Sequence, residues 1–106
     1  NSGTASLLEV ARGLGKLLNS GWKPQRSIIL ASWSGEEYSL IGSTAWAELH
    51  TEELKGAYAY LNVDAMVAGD VLTAGGTFAL RDAFVQVLTK VQGLSHLNWT
   101  GKWNTL

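Results

Sequence analysis

Glu36 and Glu37 stand side by side at the end of Ile28-Ile29-Leu30-Ala31-Ser32-Trp33-Ser34-Gly35-Glu36-Glu37, where an apolar run gives way to charge. Such a run reads as a buried strand, and open α/β sheets keep their chemistry just outside the carboxyl ends of their strands. Consecutive side chains leave the backbone in different directions, so adjacent carboxylates suit different tasks. One can hold a metal while the other moves a proton. A third acid, Asp64, closes the next apolar stretch at Asn62-Val63-Asp64. Three carboxylates gathered in a dry cleft would repel one another and protonate unless a cation neutralised them. A divalent ion there could polarise a carbonyl and acidify a water, whose proton a free carboxylate would take.

A plainer explanation fits the same residues. Ser34-Gly35-Glu36-Glu37 matches the S-x-x-E capping box, in which Ser34 and Glu37 would satisfy backbone donors at the start of a helix. Asp64 alone reads as a turn or N-cap residue. The metal reading gains ground only from the three acids falling in topological register. His50 follows a helical stretch and His96 lies in an irregular tail, so both read as surface or half-buried histidines rather than ligands. Trp22, Trp33 and Trp46 fall on or beside apolar segments and read as core. Glycine occurs 12 times, but no spacing makes a P-loop: Gly13 and Gly15 lie within a helical pattern with no strand before them.

The elements that must position these acids follow from periodicity. Leu7, Leu8, Ala11, Leu14, Leu17 and Leu18 recur at helical spacing between Ser2 and Asn19, and Asn19-Ser20-Gly21 supplies stop chemistry. Pro24 keeps the following residues extended. Ser27 to Trp33 is expected to be a strand covered on both faces. Leu40 to Leu54 reads as an interrupted helix, with Gly42 and Thr51 as plausible breaks. Ala57 to Val63 reads as a second strand, which makes a right-handed βαβ unit and brings Glu36, Glu37 and Asp64 to one rim. Val71 to Ala74 is expected to be a short extended piece and Thr77 to Val91 a helix with Leu80, Phe84, Val87, Leu88 and Val91 on one face. Gly93 to Leu106 shows no clear period.

With 106 residues and 46% hydrophobic content, the chain suits a single domain with one modest core. Eight basic residues against nine acidic give a formal charge of −1 with no basic stripe, which argues against a nucleic-acid surface. No apolar run is long enough to span a bilayer, so no membrane segment is expected within this chain. The absence of cysteine excludes disulfides and thiolate metal sites. Asn98-Trp99-Thr100 matches the N-glycosylation acceptor pattern. A parallel sheet of two or three strands would leave edges uncovered, so a piece of a larger domain is expected.

Gly21-Trp22-Lys23-Pro24, the run from Ile28 to Glu37, Gly42-Ser43-Thr44-Ala45-Trp46-Ala47-Glu48 and Tyr60-Leu61-Asn62-Val63-Asp64 together resemble the M28 zinc peptidases, in particular the glutamate carboxypeptidase II and transferrin receptor branch. The resemblance is colinear over roughly the first seventy residues. It implies a fragment, spanning residues 1–106, of a three-layer α/β/α zinc-exopeptidase domain with a mainly parallel sheet and helices on both faces. It also implies Glu36 as the general base, and Glu37 and Asp64 as ligands of one zinc each. The aspartate that bridges the two zincs would precede the segment that Asn1-Ser2-Gly3 resembles, and both zinc-binding histidines would lie outside the chain. Glutamate-selecting members use an arginine where Ala74 aligns. Members holding a structural calcium use two glutamates near the tryptophan motif; Glu48 matches one, and Ala45 occupies the other place. The implied activity is hydrolysis of peptide bonds near a chain terminus, in a parent that is secretory, extracellular, vacuolar or a membrane-anchored ectodomain and compatible with a homodimer. The alternative is a receptor-like or scaffolding relative that kept the fold without the chemistry. Retention of Glu36, Glu37 and Asp64 argues against it.

Overall fold

The first helix, α1, spans Ser2–Asn19 in the computed structural model, which describes residues 1–66, 72–91 and 99–104. Its end follows from the predicted stop residues. Gly21 takes a left-handed φ of 93°, which lets the Trp22 amide donate to Leu17 O at 3.1 Å and the Gly21 amide donate to Leu18 O at 3.0 Å. This is a Schellman closure, and it satisfies carbonyls that the helix itself leaves open. Gly3, Leu7, Ala11 and Leu14 mark the less exposed side of α1, whereas Leu8, Leu17 and Leu18 are exposed.

On the outer face of α1 the Arg12 guanidinium donates to the Glu9 carboxylate, one bond measuring 2.8 Å, and holds Glu9 below the usual carboxylate range. A depressed carboxyl pKa stabilises the folded helix above the unfolded pKa and ceases to do so as pH falls through the folded value. Circular dichroism of the chain should therefore show a small acid-induced loss of helicity in that window, and Glu9→Gln should reduce it. An identical acid titration in both proteins would contradict the pairing.

The chain divides into two compact units, Asn1–Met66 and Val67–Leu106. In the first, a 3₁₀ turn at Glu36–Tyr38 is followed by α2 (Ile41–Leu49) and α3 (Thr51–Leu54). The interruption expected between Leu40 and Leu54 is present at His50, next to Thr51. Gly42, the other expected break, lies inside α2.

Residues 27–33 and 57–63 depart from expectation, because neither forms a strand. Extended backbone becomes a strand only when another chain segment accepts its ladder, and no ladder joins these two segments. Their apolar side chains are correspondingly open: Ile29 is 68% exposed and Leu61 80%. The expected βαβ unit, and the two-sided cover that near-continuous hydrophobicity suggested, are absent among the described residues. Trp22 is likewise exposed rather than core, while Trp33 and Trp46 are half-buried. The single modest core expected from composition is also missing: Leu88 is the one buried hydrophobic side chain among the described residues.

The second unit holds the one sheet found among the described residues. β1 (Leu72–Thr77) pairs in parallel with β2 (Trp99–Asn104), with Ala74 opposite Gly101. Between them a 3₁₀ turn at Phe78–Leu80 leads into α4 (Arg81–Lys90). This helix begins later than the expected Thr77 start, because β1 extends through Thr77. Leu88 is buried on the expected face, whereas Val87 and Val91 are exposed. β2 falls where the sequence showed no period. His96 and Asn98 lie outside the described residues.

Candidate active-site turn

Glu36 and Glu37 occupy a turn built from unusual backbone. Gly35 is left-handed at φ 68°, and after the 3₁₀ residues Ser39 and Leu40 are left-handed as well, at φ 69° and 60°. Glycine adopts this conformation without penalty, but Leu40 does so at a cost of about 1–3 kcal/mol, and such residues concentrate where geometry serves a function. The surroundings enforce the conformation. The Leu40 amide donates to Glu36 O at 2.9 Å, the Ile41 amide to Gly35 O at 3.1 Å and the Gly42 amide to Ser34 O at 2.9 Å. The turn is thus knotted onto the first residues of α2, and both carboxylates project into solvent.

The capping box suggested by Ser34 and Glu37 does not form. Gly35 takes the N-cap position of the 3₁₀ turn, and no side chain caps it. Ser34 contributes its backbone carbonyl instead. That carbonyl explains Gly42: a Cβ at this position would collide with the Ser34 backbone, so only a glycine allows helix and turn to approach this closely. Sequence reading took Gly42 for a helix break and missed its role as a contact point.

Asp64 sits in a second exposed turn, fixed by the start of α1. The Met66 amide donates to Ser2 Oγ at 2.9 Å and also to Asp64 O at 2.9 Å. Gly3 is buried, and a Cβ there would overlap the carbonyl oxygens of Val63 and Asp64. Each carboxylate-bearing turn therefore rests on a glycine at the second residue of a helix, Gly3 in α1 and Gly42 in α2. That shared placement is the sequence signal that could have found both.

Aromatic contacts brace the first turn. The Trp33 ring lies 5.4 Å from that of Trp46, tilted by 54°, and Trp46 stacks on His50 at 4.4 Å and 13°. His50 Nδ1 is 2.9 Å from Trp46 O. A carbonyl oxygen only accepts, so Nδ1 carries the proton. His50 is thus engaged in structure, in keeping with its reading as a half-buried histidine.

Among the described residues, no three of histidine, cysteine, aspartate or glutamate come together as a metal-holding group. The expected convergence of Glu36, Glu37 and Asp64 into a three-acid cluster is accordingly not present. Residues 27–33 and 57–63 share no ladder, so no sheet among the described residues draws the two turns into one rim. The donor set consists of exposed carboxylates alone and does not by itself fit a zinc centre, which draws on nitrogen or sulfur ligands as well in a closed shell. Among the described residues, Glu48 likewise belongs to no group of three or more such side chains that could hold calcium.

The sequence comparisons give the chain that carries this turn a family. Residues 1–93 match Peptidase family M28. The chain belongs to that family, within its glutamate-carboxypeptidase-like branch. It is 54% identical over 93 residues to "Probable glutamate carboxypeptidase VP8" of Zea mays, an alignment covering 87% of this chain and 13% of that protein. Identity to "Aminopeptidase NAALADL1" of Mus musculus is 42% over 108 residues, covering 97% of this chain and 14% of the relative. Identity to "Vacuolar protein sorting-associated protein 70" of Saccharomyces cerevisiae is 42% over 101 residues, covering 94% and 12%. The chain thus spans about an eighth of the length of these relatives. No solved structure matches it significantly. No helix among the described residues is long and apolar enough to cross a membrane.

Proposed function

We propose that this chain is the part of a dizinc metallo-exopeptidase domain that carries the general base, Glu36, and one ligand for each of two zinc ions, Glu37 and Asp64. The observation that carries the reading is the turn from Gly35 to Leu40. Its left-handed, hydrogen-bonded backbone presents two adjacent exposed carboxylates, in a chain whose family is M28. An acidic loop serving only solubility would gain nothing from a left-handed leucine.

In the parent enzyme the substrate is a peptide whose scissile bond lies near a chain terminus. Glu36 accepts a proton from the water that attacks the scissile carbonyl. The same carboxyl then returns that proton to the departing amine, so the carboxylate is regenerated at the end of each turnover. Glu37, pointing elsewhere from the adjacent backbone position, is free for a ligand role. Ala74, in β1, supplies no cation for a substrate carboxylate, so glutamate at the substrate's C-terminus is not a requirement of this reading. The parent is placed in the secretory route, as an extracellular, vacuolar or membrane-anchored protein. The receptor-like alternative leaves the retained acidic pair and its strained turn without a purpose.

Because the described residues close no metal shell, the 106-residue chain by itself should bind zinc weakly. Titration calorimetry should show no high-affinity zinc event. Two tightly bound zincs per chain would contradict the division of ligands proposed here. The catalytic assignment is tested in the full-length protein by peptide hydrolysis with wild type and Glu36→Gln, taken up below.

A further inference from the structure

We propose that His50 is a positioning residue for the Glu36–Glu37 turn, acting through Trp46 and Trp33; the proposal rests on the catalytic reading of that turn. The turn is attached to α2 in two ways. One is backbone, from the Ile41 amide to Gly35 O at 3.1 Å and the Gly42 amide to Ser34 O at 2.9 Å. The other is aromatic, from Trp33, which immediately precedes the turn, to Trp46, one helical turn beyond Gly42, with ring centroids 5.4 Å apart. An indole on a short helix has several rotamers open to it, and the one it adopts sets its ring 5.4 Å from that of Trp33.

His50 selects that rotamer in two ways. Its imidazole stacks on the Trp46 ring at 4.4 Å and 13°, on an arrangement that also has Trp33 as neighbour. Its Nδ1–H donates to Trp46 O at 2.9 Å, which orients the imidazole at the point where α2 gives way to α3. The His50 amide donates to the same carbonyl at 3.0 Å, so the last turn of α2 is closed by both backbone and side chain of one residue. Trp46 is held on one side by His50 and meets Trp33 through its ring, and the backbone of Trp33 leads directly into Ser34, Gly35 and the carboxylates. Removing the imidazole frees Trp46 to change rotamer, leaving the turn on its backbone attachment alone. A displacement of about 1 Å in a reacting group can lower a rate by around 10²-fold, so a partial loosening should be visible in turnover.

The test uses the full-length protein with His50→Ala and His50→Phe. Phenylalanine keeps a ring to stack on Trp46 but has no donor for its carbonyl. Amide hydrogen exchange at Leu40 and Gly42, whose N–H groups close the turn, should accelerate in His50→Ala and recover at least partly in His50→Phe, while amides in α1 stay unchanged. In peptide hydrolysis, kcat should fall about 10-fold in His50→Ala with KM little altered, and His50→Phe should restore part of the loss. Unchanged exchange at Leu40 and Gly42 in His50→Ala would overturn the proposal. So would faster exchange throughout the chain in both variants, which would make His50 a general stability residue. If wild type hydrolyses no terminal peptide, the catalytic reading fails, yet the exchange measurement still decides whether His50 controls the turn.

Discussion

Glu36→Gln in the full-length protein is expected to lower both kcat and kcat/KM for terminal peptide hydrolysis by about 10²–10⁴-fold, the usual contribution of a positioned general base. The substitution keeps the size and planarity of the side chain and removes its capacity to accept a proton from the attacking water. It should not disturb the turn, because the bonds that close the turn at this residue use the Glu36 backbone carbonyl rather than its side chain. Glu37 cannot substitute, since its side chain leaves the backbone in another direction. Steady-state kinetics checks the expectation. Retention of most activity would remove Glu36 from the reaction and return the acidic pair to the status of a solvated turn.

The second large effect concerns two glycines of α1 whose surroundings differ. Gly3→Ala should destabilise the protein by about 1–3 kcal/mol, the range for overpacking against groups that cannot rotate away. Its added Cβ would meet the carbonyl oxygens of Val63 and Asp64, which are backbone, so α1 and the Asp64 turn would have to separate. That separation would also strain the hydrogen bond from the Met66 amide to Ser2 Oγ. Gly13→Ala should have the opposite sign. Nothing lies within 4 Å of a Cβ at that position, and replacing a mid-helix glycine by alanine typically stabilises by about 0.4–1 kcal/mol. Denaturant unfolding of the two variants separates contact from propensity. A stabilised Gly3→Ala would show that the Asp64 turn does not rest on α1.

Local chemistry accounts for what could be read in the sequence. α1 was legible because its leucines recur at helical spacing and Gly21 supplies the left-handed residue that a Schellman closure needs. An interruption near Thr51 and the acidic pair itself were equally plain, whereas the break expected at Gly42 was not found. Segments 27–33 and 57–63 were over-read, because β-branched and apolar residues make a strand possible while only a partner's hydrogen bonds make it real. The reverse happened at β2, where Thr100, Lys102 and Asn104 offered no apolar alternation and the parallel pairing with β1 defines the strand. The capping box misled for a related reason: Ser34 and Glu37 have the right spacing, but Gly35 adopts a backbone that takes the N-cap position itself. Contacts between residues distant in sequence, such as Gly3 with Asp64, leave only a glycine as their trace.

The division of labour between the acids is tested most directly by the zinc content of purified full-length protein, measured by elemental analysis for wild type, Glu36→Gln, Glu37→Ala and Asp64→Ala. Wild type and Glu36→Gln should hold the same two zinc ions, because a proton carrier is not a ligand, whereas Glu37→Ala and Asp64→Ala should each lose zinc. Equal zinc in all four proteins, or loss of zinc in Glu36→Gln alone, would contradict the roles assigned to Glu36, Glu37 and Asp64.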